Sequence, residues 1–219
     1  MENPLFSPIS LEDLLSGRNF IIYNQQLIFY HQELKQFVIT SISPEKRYTS
    51  EDYMSLPESA PYQLIEGELV YMASPYSIHQ EISINISTEI QNYVKKNKLG
   101  KVYYSPMDVH LDKENVYQPD ILFISIKRSS IIQKFIFGAP DFVIEILSAG
   151  TEDKDRGAKM VNYGKFGVDE YWIVNLNQAN IEVYHNTMGI LIKKQVATRG
   201  DTIVSKAIQG FELKVEDVF

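Results

Sequence analysis

Apolar and polar positions alternate with changing periods along this chain, and the changes mark its elements. Ser10-Leu-Glu-Asp13 resembles a capping box opening a short helix that stops at Gly17. The runs Asn19–Tyr23, Gln26–Tyr30 and Phe37–Ile42, the first two separated by Asn24-Gln25, read as two or three short strands with a hairpin. Ile42–Arg47 then serves as a junction, so residues 1–45 are expected to be an appendage and residues 46–219 the main domain. Thr49-Ser-Glu-Asp52 predicts a second capping box, ahead of a helix ended by Pro57. Tyr62–Ile65 and Leu69–Ala73 flank Glu66-Gly67 as a hairpin.

A long helix is expected after Pro75, because Ile78, Ile82, Ile86, Ile90 and Val94 recur every four residues. Lys95, Lys96 and Lys98 before Gly100 suit the negative end of its dipole. Lys101–Ser105, Asp108–Asp112 and Tyr117–Ser125 read as strands. Asp141–Leu147 is nearly continuous in apolar residues, as a central strand covered on both faces should be. One helix is predicted over Thr151–Phe166, followed by strands at Glu170–Asn175, Ile181–Thr187 and Gly189–Ala197. This order predicts a mixed α/β (α+β) sandwich and not a doubly wound fold.

Composition narrows the function classes. The 219 residues contain no cysteine, which removes a disulfide framework, a thiolate metal site and a cysteine nucleophile together. Such a chain suits the reducing cytoplasm, and no secretory signal or membrane-length apolar run is visible. A net charge of -7 argues against a protein that coats nucleic acid, but not against an enzyme that cuts it with acidic metal ligands.

Two carboxylates sit where carboxylates seldom do. Asp120 follows Pro119 and leads into Ile-Leu-Phe-Ile, and Glu145 lies inside Phe-Val-Ile-Glu-Ile-Leu. An acid inside a buried strand is costly unless it is paired or metal-bound. On neighbouring strands the two would form an oxygen site suited to Mg²⁺, with the backbone carbonyl of Ile146 as a third ligand. Either acid alone reads as a salt-bridge partner. Glu152, Asp155, Lys159 and Tyr163 follow at spacings of three, four and four, on one helical face. Lys159 on its own reads as a solvated helix residue. If that face covers the strand end, Lys159 reaches the carboxylates and can orient a water or stabilise charge on a phosphate.

At this point the motifs resemble a family. Tyr62-Gln-Leu-Ile-Glu-Gly67, Ser77-Ile-His79-Gln80, Gln118-Pro-Asp120, Ala139-Pro-Asp141 through Ser148, and Asp155 to Lys159 with Gly167–Val174 look like the Uma-type restriction endonucleases of the PD-(D/E)XK nuclease superfamily. The resemblance spans residues 48–219. It implies a restriction-endonuclease-like core, a mixed β-sheet flanked by helices. It also implies Mg²⁺-dependent hydrolysis of DNA phosphodiester bonds, with Mn²⁺ as a substitute, by a cytoplasmic homodimer. Asp120 matches the Asp of the PD element and Glu145 the second metal ligand. The superfamily lysine two residues after that Glu is here Leu147, and in this family it moves to the following helix, which points to Lys159.

Two positions stay open. Gln63 stands where the family usually carries Glu; it offers a carbonyl oxygen but no charge, and Glu66 and Glu68 have the wrong strand parity to replace it. His79 reads either as a phosphate or water contact at the site mouth or as a helix-surface histidine. Gln63, His79 and Asp155 are therefore accessory candidates. Lys95, Lys96, Lys98 and Lys101 read as DNA-backbone contacts or as a solvated helix end. The alternative to a nuclease is a catalytically weakened nuclease fold acting as a nucleic-acid or protein binding module.

Overall fold

The structure is a computed structural model and describes residues 20–23, 26–31, 36–43, 45–57, 60–148 and 150–219. The expected helix at Ser10–Gly17 lies outside these residues. Strands β1 (Phe20–Tyr23), β2 (Gln26–His31) and β3 (Gln36–Ser41) form an antiparallel sheet of their own. Helix α1 (Ser50–Met54) opens on the Thr49 capping box, with Thr49 and Asp52 each bonding the other's backbone N–H. Strands β4 (Tyr62–Ile65) and β5 (Glu68–Tyr71) make the expected hairpin. Its two-residue turn holds Glu66 and Gly67 at φ 50° and 76°, the left-handed pair that a tight hairpin requires.

The predicted long helix is α2 (Ser77–Asn97), and Ile82, Ile86, Ile90 and Val94 are buried along it. Ile78 is not part of that stripe; it is 47% exposed. Then come β6 (Gly100–Tyr104), β7 (Val109–His110), β8 (Val116–Tyr117) and β9 (Ile121–Ser125). The single strand expected over Tyr117–Ser125 is thus two. Tyr117 belongs to one sheet and Ile121 to another, and Gln118-Pro119-Asp120 is the crossing between them. Pro119 has no N–H to give a ladder, which helps end pairing there.

Strands β10 (Ile136–Phe137) and β11 (Phe142–Ile146) follow, then helices α3 (Glu152–Arg156) and α4 (Ala158–Phe166). One helix was expected here. Gly157, at φ -105° and ψ -108°, breaks it, and a Cβ at that position would stand 2.6 Å from the Asp153 carbonyl. Strands β12 (Glu170–Asn175), β13 (Asn180–Thr187) and β14 (Ile190–Ala197) and the small pair β15 (Thr202–Val204) and β16 (Glu212–Lys214) complete the chain.

The six-stranded sheet has the order β14-β13-β12-β11-β9-β6, and a five-stranded sheet has the order β10-β7-β8-β4-β5. Strand β11 is central, parallel to β12 and antiparallel to β9. Strand alternation sorts its side chains. Phe142, Ile144 and Ile146 join α2 and the C-terminal residues Phe211, Leu213 and Val215 in one core. Val143 and Leu147 join Tyr163 and Tyr171 in a second core, which the five-stranded sheet closes through Ile65, Val109 and Tyr117. The mixed sheet flanked by helices is as expected from the sequence. No described helix is long and apolar enough to cross a membrane.

Candidate active site

The β9–β11 ladder pairs Ile121 with Ile144. One step further along an antiparallel ladder sets Asp120 across from Glu145, with both side chains on the same face. That face belongs to the second core, and α3 and α4 cover it. Asp120 Oδ2 accepts the Ile146 N–H at 2.7 Å, which ties the crossing loop to β11.

Lys159 lies under this cover, 2% exposed, and is not a solvated helix residue. Its Nζ stands 3.1 Å from Glu145 Oε1 and 2.9 Å from Asp155 Oδ1. The Tyr163 hydroxyl donates to the same Glu145 oxygen at 2.8 Å. Asp155, Lys159 and Tyr163 therefore meet, as their spacing predicts, despite the break at Gly157. Glu152, the fourth residue of that face, pairs instead with Arg156 at 2.8 Å. Tyr163 is the site residue to which the sequence reading gave no role. Its place in the four-residue spacing was the available signal.

His79 reaches the same point from the first turn of α2. Its Nε2 lies 3.1 Å from the Ile146 carbonyl and 3.4 Å from Asp120 Oδ2. Both neighbours only accept, so Nε2 donates. The surface reading of His79 is set aside by this placement. Gln63 anchors the strand leading to Asp120: its Oε1 accepts the Gln118 N–H at 3.0 Å and its Nε2 faces Met72 Sδ at 2.9 Å. Glu68 is turned away, toward Arg47 and Lys154. The C-terminal lysines of α2 are far away, since Lys95 follows His79 by about 24 Å along the helix at 1.5 Å per residue.

The electrostatics follow from burial. Asp120, Glu145, Asp155 and Lys159 line one cleft of about 1470 Å³, with the lysine held between Glu145 and Asp155. Burial pushes the Glu145 carboxyl up to about 8; Lys159 offsets this, and the charges on Asp155 and Asp120 add to it. Burial disfavours the charged form of Lys159, but Glu145 and Asp155 outweigh it and hold the ammonium protonated. For His79, burial likewise opposes protonation, and the bonds to Asp120 and Ile146 overcome it, raising its pKa.

The hydrogen bonds and ion pairs use Asp120 Oδ2 and Glu145 Oε1. Asp120 Oδ1 and Glu145 Oε2 take none of them, and both residues line the cleft together with Ile146. Two carboxylate oxygens and a carbonyl, which has a second lone pair beside the one facing His79, are a hard all-oxygen donor set. This set fits Mg²⁺, with Mn²⁺ as a substitute. Among the described residues no three His, Asp or Glu side chains surround one metal position, so such a site rests on two side chains and the backbone.

Comparison with known proteins gives the family and the fold. The family described as "Uma2: Putative restriction endonuclease" matches residues 50–216. The chain belongs to the Uma2 family. The resemblance read from the motifs is thereby borne out, and β1–β3 lie outside the matched span. A Synechocystis sp. protein, "Uncharacterized protein slr1290", is 24% identical over 147 residues, covering 65% of this chain and 76% of its own. The Uma2 fold also appears in a crystal structure from Anabaena variabilis, described as "a putative nuclease belonging to DUF820". It superposes with a TM-score of 0.66 at 19% identity, covering 78% of this chain and 97% of that one.

Proposed function

We propose that this Uma2 protein is a divalent-metal-dependent endonuclease that hydrolyses phosphodiester bonds of DNA in the cytoplasm. One observation carries the reading: the buried Glu145 and Asp155 share one lysine, the half-buried Asp120 stands across the ladder from Glu145, and Asp120 and Glu145 each keep one oxygen out of the chain's own hydrogen bonds and ion pairs at the cleft. Burial and the neighbouring carboxylates make the charged form of Glu145 costly, and a bound cation would relieve that cost. Asp120, Glu145 and the Ile146 carbonyl would hold Mg²⁺, which when bound supplies polarisation of the scissile phosphate.

The chain's own groups do the rest. Lys159 has three N–H donors. One is given to Glu145, Asp155 pairs with the ammonium charge, and a remaining donor is assigned to the attacking water or to charge developing on the phosphate. Asp155 and Tyr163 hold Lys159 and Glu145 in register. His79 is a positioning residue that fixes the Ile146 carbonyl and Asp120. Gln63 positions Gln118 and through it the crossing to Asp120; the amide both donates and accepts, which supports its use in place of Glu. A homodimer would bring two clefts together, and analytical ultracentrifugation checks it.

The test is nicking of supercoiled plasmid with Mg²⁺ or Mn²⁺, wild type beside Glu145→Ala. Metal-dependent cleavage that is lost in the variant is expected. Equal cleavage by both rejects the site. No cleavage by wild type, with either metal, of the plasmid or of a single-stranded DNA circle favours a binding module, the reading that the uncharged Gln63 in the cleft supports.

A further inference from the structure

The cleft around the carboxylates is poor in free cations and rich in exposed tyrosine. Lys159 is the one lysine or arginine among its described lining residues, and Glu145 and Asp155 already bind it. Asp120, Glu145, Glu152 and Asp155 line the same space. A duplex presents two rows of phosphates, and proteins that hold it do so mainly by neutralising them with lysine and arginine. This cleft has no such surface to offer.

Its rim has another chemistry. Tyr76 and Tyr104 line it and are 81% and 67% exposed, beside exposed Ile78 and Ile84. Tyr104 ends β6, one residue before the Ser105 N–H that bonds the Asp120 carbonyl. Tyr76 caps the start of α2, three residues before His79. Large aromatic faces left in water in the same cleft as an acidic centre are stacking platforms for bases. The wall that α2 gives the cleft is neutral and polar, with Ser83, Ser87, Thr88 and Gln91 offering donors and acceptors to base edges.

We propose that the cleft takes an unpaired polynucleotide strand, its bases stacked on Tyr76 and Tyr104, in preference to a duplex. The inference rests on the nuclease reading of the site, and each cleft acts on its own strand. Unpaired bases can turn toward the tyrosines while the backbone meets the carboxylate centre; paired bases cannot leave their stack without a cost of a few kcal/mol per base.

The test is fluorescence anisotropy in Ca²⁺ with labelled 20-nucleotide strands of DNA and of RNA and with the matching DNA duplex. A single strand of either kind is expected to bind at least about 10-fold tighter than the duplex. Tyr76→Ala and Tyr104→Ala should each weaken single-strand binding roughly 10-fold, and Tyr→Phe at either position should restore it. Equal or tighter duplex binding, or alanine variants that bind as wild type does, overturns the inference. So does a change in oligomeric state by size exclusion with binding unchanged, which would make the rim a subunit surface. The two readings fail separately. Tyrosine-dependent single-strand binding without cleavage by any divalent metal removes the nuclease and keeps this inference; cleavage that prefers duplex does the reverse.

Discussion

Glu145 and Glu170 stand on adjacent strands of one sheet and are almost equally hidden, at 3% and 0% exposed. Their partners differ. Both oxygens of Glu170 are engaged: Oε1 by the Trp172 indole N–H at 2.8 Å, Oε2 by the Ser205 hydroxyl at 2.7 Å and the Ala207 N–H at 2.8 Å. His185 lies a further 3.7 Å from Oε1. These bonds clamp the C-terminal segment to the face of the sheet that α2 covers. Glu145 points to the other face, gives one oxygen to Lys159 and Tyr163, and keeps the second toward the cleft. The desolvation cost is similar for both. What separates a structural carboxylate from one left open to a ligand is whether its own chain uses every lone pair.

Exchanging the two residues in turn tests this distinction most sharply. Glu145→Gln is expected to lower metal-dependent cleavage by about 1000-fold while the circular dichroism spectrum is kept. Glu170→Ala leaves three buried donors unpaired and is expected to cost about 3 kcal/mol, lowering Tm by roughly 6–12 °C with cleavage at 25 °C retained. Equal loss of activity in both would erase the contrast.

Lys159→Met sharpens the cation side. It leaves Glu145 and Asp155 facing each other underground and should cost about 3 kcal/mol in EDTA. Mg²⁺ is expected to stabilise this variant more than wild type, read as a larger shift of the urea midpoint. An equal shift in both would argue against a cation between these carboxylates.

Glu182 is a third carboxylate of the sheet, on β13, and it is ion-paired at the protein's rim. Burial acts to raise its pKa, but bonds to Arg156, Lys193 and Tyr184 outweigh it and hold it at about 2. The folded value lies below the unfolded one. Its contribution is therefore fully present above the ordinary carboxylate pKa of 4.5 and is lost as pH falls toward 2. The stability difference between wild type and Glu182→Gln should be about 2 kcal/mol at pH 6 and should close over that window, measured by urea denaturation. The smallest effect is expected at the helix break. Gly157→Ala forces a Cβ against the Asp153 carbonyl and should cost roughly 1 kcal/mol, with a modest fall in kcat as Lys159 shifts.

Periodicity alone determined much of this protein. The four-residue stripe of α2, the Glu66-Gly67 turn, the continuous apolar run of β11 and the Asp155–Lys159–Tyr163 face are local patterns, and the structure follows them. Two carboxylates inside apolar runs were legible as costly, and the cost pointed to a site. Local pattern did not determine which acid would stay open: Glu170 heads an apolar run as Asp120 does, and its partners Ser205 and Ala207 lie more than thirty residues away in sequence. Nor did it determine that Tyr117 and Ile121 belong to different sheets, because both flanks of Pro119 read as strand. Placing His79 on the Ile146 carbonyl required the start of α2 to meet the end of β11, across 67 residues of chain. Pairing of distant strands and the saturation of each lone pair are set by the packed chain as a whole, so only the tertiary structure decided them.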